Sequence, residues 1–281
     1  MRLHVSARAA TTQLVVLCCI TLNAAAQEKR EQTFSVGPRS LITVTNNHGP
    51  ISLGPSGNSQ VVVTTISHAD TVKLESEQHG NRIDLRSIAS PKISGGSLVE
   101  YTILVPLEAF VRLESMNGLI HARGLRGDIV METASGSIEV SDMMDAHLHV
   151  KTLKGPVTLS SIQNCHLDVT SVTGDVSLRN VAESSVVVNS GGGRITYDGD
   201  PGTLGDYRLT SHSGDLTITI PANAPVEITE RARNAESLIE SPDTGTEPTA
   251  TGKKSLLKPG ISNASRFVLR SFRGKIQLRR P

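Results

Sequence analysis

The chain has 281 residues, 37% hydrophobic and only 2% aromatic, with no Trp and a formal net charge of +1. That length fits one large domain. Near-neutrality leaves no electrostatic case for nucleic acid, few rings argue against single-strand stacking, and the core is expected to be Val, Ile and Leu in thin layers.

Residues 1–26 read as a secretory signal peptide. Arg2 and Arg8 give a basic start, Leu14 to Leu22 is apolar, and Ala24-Ala25-Ala26 is a small-residue cleavage site. The mature chain is expected to begin near Gln27, which leaves 26 basic against 27 acidic residues. The apolar run is too short for a comfortable membrane span, so no transmembrane anchor is expected in the mature chain. The expected location is outside the cytoplasm: periplasmic, cell-surface or extracellular. Cys18 and Cys19 lie within the signal and follow Leu17 and Cys18, not the small residue that lipid attachment needs. Cys165 alone survives cleavage, so a monomer has no disulfide and an inert, partly buried thiol is expected there.

Residues 27–110 read as an N-terminal cap plus a first coil. Val44, Asn46, Gly49, Ile51 and Leu53 carry one frame of a pattern that returns later. Val61 to Ile66 is an apolar run. Thr71 to Glu77 and Arg82 to Ile88 alternate around Gln78-His79-Gly80-Asn81, which predicts a hairpin, and Val99 to Val105 is a further strand. A cap is needed because a bare solenoid end recruits other chains.

Residues 111–230 are repetitive. Gly118, Gly136, Gly155, Gly174, Gly193 and Gly214 are spaced by 18, 19, 19, 19 and 21 residues. Apolar residues stand seven and five before each glycine and two and four after it, as in Leu148, Val150, Val157 and Leu159 around Gly155. Three before it the residue is small and polar: Ser115, Thr133, Thr152, Ser171, Ser190 and Ser211. Apolar residues two apart indicate strands, because successive side chains point to opposite faces. Each unit is thus strand, glycine corner, strand, second corner. One unit cannot bury its apolar rows alone; stacking the next at about 4.8 Å closes a core. The fold class is all-β, a single-domain parallel β-solenoid (β-helix) of about 19 residues per coil. The glycines, Gly49 and Gly274 included, are read as structural turn residues that supply a backbone conformation residues with a Cβ avoid. The hydroxyls are read as an inward ladder bonding to backbone and to each other.

Residues 231–264 are polar and rich in Thr, Gly, Pro and charge, and read as a mobile insertion. Residues 265–281 restore the frame through Phe267, Leu269, Ser271, Gly274, Ile276 and Leu278, and read as a C-terminal closing coil.

The run from Glu100-Tyr101-Thr102-Ile103-Leu104-Val105-Pro106 into Val111 to Gly118, followed by Thr133-Ala134-Ser135-Gly136-Ser137-Ile138 and Ser171-Val172-Thr173-Gly174-Asp175-Val176, resembles the bacterial putative-adhesin family of secreted β-solenoid domains, a domain of unknown function. The resemblance covers residues 36–280 less the insertion. It implies the architecture and carries no catalytic residues with it, since fold does not fix function.

Candidate chemistry lies on outward positions. Asp175, Arg194 and Asp215 follow their glycines on successive coils, with the carboxylates two rungs, about 9–10 Å, apart on ideal spacing. That is near the separation of inverting glycosidases, and equally a surface charge ladder. His149 with Asp168, and His121 with Glu139, are base-and-orienter pairs without a nucleophile; solvated cross-strand pairing is the plainer account. Asp198, Asp200 and Asp206 in the wide loop are the one candidate for calcium, although their spacing fits no calcium loop and Asp, Gly and Pro also make turns. No other cofactor and no metal spacing is indicated. The row three after the glycine, Thr158, Ser177, Thr196 and Thr217, is a flat hydroxyl array suited to polysaccharide, another cell-surface molecule or ice, with Thr170, Asn189 and Thr210 on the other strand. The expected function is an exported, non-enzymatic, adhesin-like binding or structural module at the bacterial cell envelope. Its partner would be a polysaccharide or a cell-surface protein. The alternative is a carbohydrate-active β-helix enzyme, a glycoside hydrolase or polysaccharide lyase.

Overall fold

The computed structural model describes residues 28–68, 72–89, 98–232, 237–241, 245–249 and 263–281. The expected signal peptide lies outside them, as does most of 231–264. Among the described residues there is no helix, and so none long and apolar enough to cross a membrane.

Two sheets, of 13 and 11 strands, enclose one continuous core. Each repeating coil gives one strand to each sheet. Neighbouring coils pair parallel and without slip, so the apolar rows of the sequence become rows in space. On the smaller sheet Ile129, Leu148, Leu167, Val186, Tyr207 and Phe267 are successive partners. On the larger, Ile138, Val157, Val176, Ile195, Leu216 and Ile276 do the same. All twelve are buried. A slip of one residue would turn each row outward, which is why a buried face pins the register.

The hydroxyl row lies inside. Thr152, Ser171, Ser190 and Ser271 each donate to the carbonyl oxygen of the glycine three residues on, at 2.6–3.1 Å. Asn46 plays that part in the first frame and also reaches Val99 O at 2.8 Å. These bonds run to backbone within the coil, and satisfy polar groups that burial would otherwise penalise.

The glycines are required for a different reason from the one expected. Of the glycines in the repeat frame, only Gly49, at φ +116°, and Gly118, at φ +153°, hold left-handed backbone. For the rest the constraint is close approach. A Cβ on Gly155 would overlap the carbonyl oxygen of Gly136, and one on Gly174 that of Gly155, along the whole stack. Left-handed residues cluster instead at the second corner: Asp142, Ser161 and Asn180 form one row, Asp145, Asn164 and Glu183 another, with Gly199 and Gly202 continuing them.

Two expectations about the core and ends are corrected. The thin coils do admit large rings. Tyr207 and Phe267 stack at 4.4 Å, and Tyr197 packs edge-on to both at 5.2 Å. The Tyr197 and Tyr207 hydroxyls both donate to Val181 O, at 2.7 and 2.8 Å. The order of the stack also departs from chain order at both ends. Leu41–His48 and Ile51–Pro55 form a coil, but Arg82–Ala89 and Val99–Val105 lie outside it. Likewise 265–281 is not the outermost coil. Val226–Ala232 pairs parallel outside Ser265–Ser271, and Ser237–Ser241 pairs parallel outside Ile276–Arg279. The terminal segment is thus second from the edge of the smaller sheet and third from the edge of the larger, which gives its apolar frame a neighbour on both sides. Within 231–264, Ser237–Ser241 and Gly245–Thr249 form an antiparallel pair. At the other end Glu28–Ser35, Gln60–Ser67 and Val72–His79 add antiparallel edges.

Candidate functional site

The outer face of the larger sheet is set by the same alternation that fills the core. With Val157 and Leu159 inward, Thr158 must point out, and every coil repeats this. Thr158, Ser177, Thr196 and Thr217 are therefore consecutive cross-strand partners, each partly exposed. Gln277 extends the row on one side, and Glu139 and His121 on the other. Two residues along lies a second row, Ser160, Arg179, Asp198 and Thr219. The result is an in-register field of hydroxyls at strand spacing, about 4.8 Å, interrupted in the second row by Arg179 and Asp198. A hydroxyl both donates and accepts, so such a field matches another hydroxyl-rich surface. Thr170, Asn189 and Thr210 form a comparable line on the smaller sheet.

The carboxylates weighed as acid and base have structural partners. Asp175 Oδ1 accepts the backbone N–H of Arg194 at 2.8 Å, and Asp215 Oδ1 that of Lys275 at 2.8 Å. Each side chain thus caps the corner of the following coil. The ladder is carboxylate to main chain, with no ion pair between the Arg194 guanidinium and either acid among the described residues. His149 and Asp168 stand 3.4 Å apart and His121 and Glu139 3.8 Å, as cross-strand neighbours on open faces. His147 meets Asp128 at 2.7 Å in the same manner. In the wide loop, Asp200 Oδ1 accepts Gly202 N–H at 2.9 Å and closes a turn, while Asp206 pairs with Arg208 at 2.7 Å. Among the described residues no three His, Cys, Asp or Glu side chains converge as metal ligands. Cys165 is buried; its sulfur accepts from Ala146 N at 3.3 Å, and burial pushes its pKa up, away from thiolate character.

One row escaped the sequence reading. Two residues before the glycines, Met116, Leu153 and Val172 are about half-exposed, with Ala134 between the first two. They make an apolar ridge along the glycine corner. Its N-terminal part floors a shallow groove of about 340 Å³ edged by Glu114, Glu132 and Lys151. The signal was present at the repeat spacing, but lay between the two strand patterns.

Comparison with known proteins gives one family. The model of the Toastrack DUF4097 family matches residues 40–255. No curated protein matches significantly. Among solved structures, a putative cell adhesion protein from Clostridium sporogenes has 10% identity and a TM-score of 0.30, covering 90% of this chain and 100% of its own. A putative adhesin from Bacteroides fragilis has 11% identity and a TM-score of 0.42, covering 90% of this chain and 98% of its own.

Proposed function

The chain belongs to the Toastrack DUF4097 family, and from that premise we propose that it is an exported, non-enzymatic binding module of the bacterial cell envelope. The observation that carries the reading is the in-register hydroxyl field of Thr158, Ser177, Thr196 and Thr217 on an open sheet face. A repeating row of hydroxyls, with one opposite-charge pair of neighbours, Arg179 and Asp198, in the row beside it, suits a partner that repeats its own hydroxyls, so the ligand is a neutral polysaccharide. The basic start, the apolar run and Ala24-Ala25-Ala26 support export. A neutral-glycan array tests the reading. Replacing Thr158, Thr196 and Thr217 together by Lys is expected to abolish the array signal while far-ultraviolet circular dichroism stays unchanged. Retained binding in that triple variant moves the site off this face.

A further inference from the structure

The other sheet carries a different surface at its C-terminal end. Three adjacent strands there, Asp206–Ser211, Ser265–Ser271 and Val226–Ala232, project Arg208, Arg266, Arg270 and Arg231 outward, all exposed. They line a depression of about 600 Å³ whose remaining walls include Val187, Val268, Asn189 and Thr210. The one acid in that lining is Glu227. Arg208 is tied to Asp206 at 2.7 Å, whereas Arg231, Arg266 and Arg270 have no carboxylate at ion-pair distance among the described residues. Arg231 and Arg270 are direct cross-strand partners. Like charges set directly opposite each other destabilise a sheet, and among the described residues neither member of this pair has a carboxylate at ion-pair distance.

We propose that this field binds an acidic polysaccharide whose carboxylates seat between the guanidiniums of Arg231, Arg270 and Arg266. Guanidinium forks take carboxylates bidentately, and an anion bridging Arg231 and Arg270 turns their repulsion into attraction. Between the arginines, Asn189 and Thr210 offer polar groups for sugar hydroxyls, and Val187 and Val268 offer apolar floor for ring C–H groups. No aromatic ring lines the depression, so there is no platform for stacked bases. Both valines are partly buried, so the floor of the depression sends no apolar side chain out toward a bilayer. These features favour an acidic glycan over nucleic acid or an anionic membrane. The field lies on the opposite sheet from the hydroxyl row and does not depend on it.

The test is titration of the full-length chain with polygalacturonate, with neutral dextran, double-stranded DNA and phosphatidylglycerol vesicles in parallel. Polygalacturonate is expected to bind tightest, more weakly as salt rises, with dextran silent. The double change Arg231→Gln with Arg270→Gln is expected to weaken binding at least tenfold. The corresponding Lys pair keeps the charge but loses the fork, and is expected to recover only part of it. Arg86→Gln, at the far end of the same sheet, is expected to change nothing. In the free protein, Arg231→Gln is expected to raise Tm, because it removes a repulsion. Failure of polygalacturonate to bind at low salt overturns the proposal. So does unchanged affinity in the Gln pair, or tighter binding of DNA or vesicles than of polygalacturonate.

Discussion

The Asp175 carboxylate holds the backbone N–H of Arg194 at 2.8 Å, across the step from one coil to the next. Asp215 repeats the contact on Lys275. Both side chains sit directly after a ladder glycine, so the carboxylate fixes the corner where the next coil begins. Asp175→Ala is expected to cost about 1 kcal/mol, the net worth of one hydrogen bond, read as a lower denaturant midpoint. Asp175→Asn keeps an acceptor and is expected to lose less than half of that. On the binding-module reading proposed above, neither change is expected to abolish any turnover. Hydrolysis or elimination on a polysaccharide panel that disappears in Asp215→Asn would restore the enzyme reading.

The glycine ladder gives a sharper contrast. A Cβ on Gly155 meets the Gly136 carbonyl, which is backbone held on both sides and unable to move away, while a Cβ on Gly57 meets nothing within 4 Å. Gly155→Ala is expected to destabilise by about 3 kcal/mol or more, at the upper end of overpacking penalties. Gly57→Ala is expected to lie within about 0.5 kcal/mol of the parent. Equal thermal midpoints for the two variants would show that the stack is looser at its corners than the structure has it.

Most of the fold was legible because a buried face leaves a periodic trace. Val157 and Leu159 two apart, repeated at fixed spacing, specify strand, direction and neighbour together. The mechanism of the ladder was not legible. A recurring glycine signals either positive φ or close approach, and only the distance between coils decides which. The tucked coil of Phe267 to Leu278 was hidden for a related reason: the frame says a coil exists, not where in the stack it is inserted. The left-handed row of Asp142, Ser161 and Asn180 did leave a trace, since Asp and Asn tolerate that conformation better than most residues. The hydroxyl row followed directly from the frame. The Arg231–Arg270 neighbours did not, because Arg231 lies beyond the repeat and meets Arg270 only through the reordered end.

Inside and outside rows can be told apart with one substitution. Val157 is 1% exposed within the core, and Val172 is 48% exposed on the corner ridge. Val157→Asp buries a carboxylate with no partner among Val, Ile and Leu, and is expected to cost more than about 4 kcal/mol, enough to prevent folding. Val172→Asp is expected to leave thermal unfolding nearly unchanged and to improve solubility, because it interrupts an exposed apolar strip. If both variants unfold alike, the ridge is packed against something and not open.

Alkali should unfold this protein through its tyrosines. The chain has 3 of them, Tyr101, Tyr197 and Tyr207, and all are buried. Burial pushes the Tyr101 hydroxyl from its ordinary value of 10.0 to about 12, opposed by a hydrogen bond with Ser87. Burial raises Tyr197 and Tyr207 as well, with the neighbouring Tyr207 ring adding to the effect on Tyr197. The folded state therefore holds these protons more tightly than the unfolded chain. Their contribution to stability is complete below pH 10, declines as pH rises past that value, and for Tyr101 is lost by about 12. A pH titration is expected to show no tyrosinate absorbance while the strand signal in circular dichroism persists, then a cooperative rise in absorbance as that signal collapses. Tyr101→Phe removes one of the three contributions and is expected to move the collapse to higher pH, provided its thermal midpoint at neutral pH is matched to the parent. Gradual tyrosinate formation centred near pH 10, with the strand signal intact, would mean that at least one ring is solvated and that the aromatic cluster of Tyr197, Tyr207 and Phe267 is not closed.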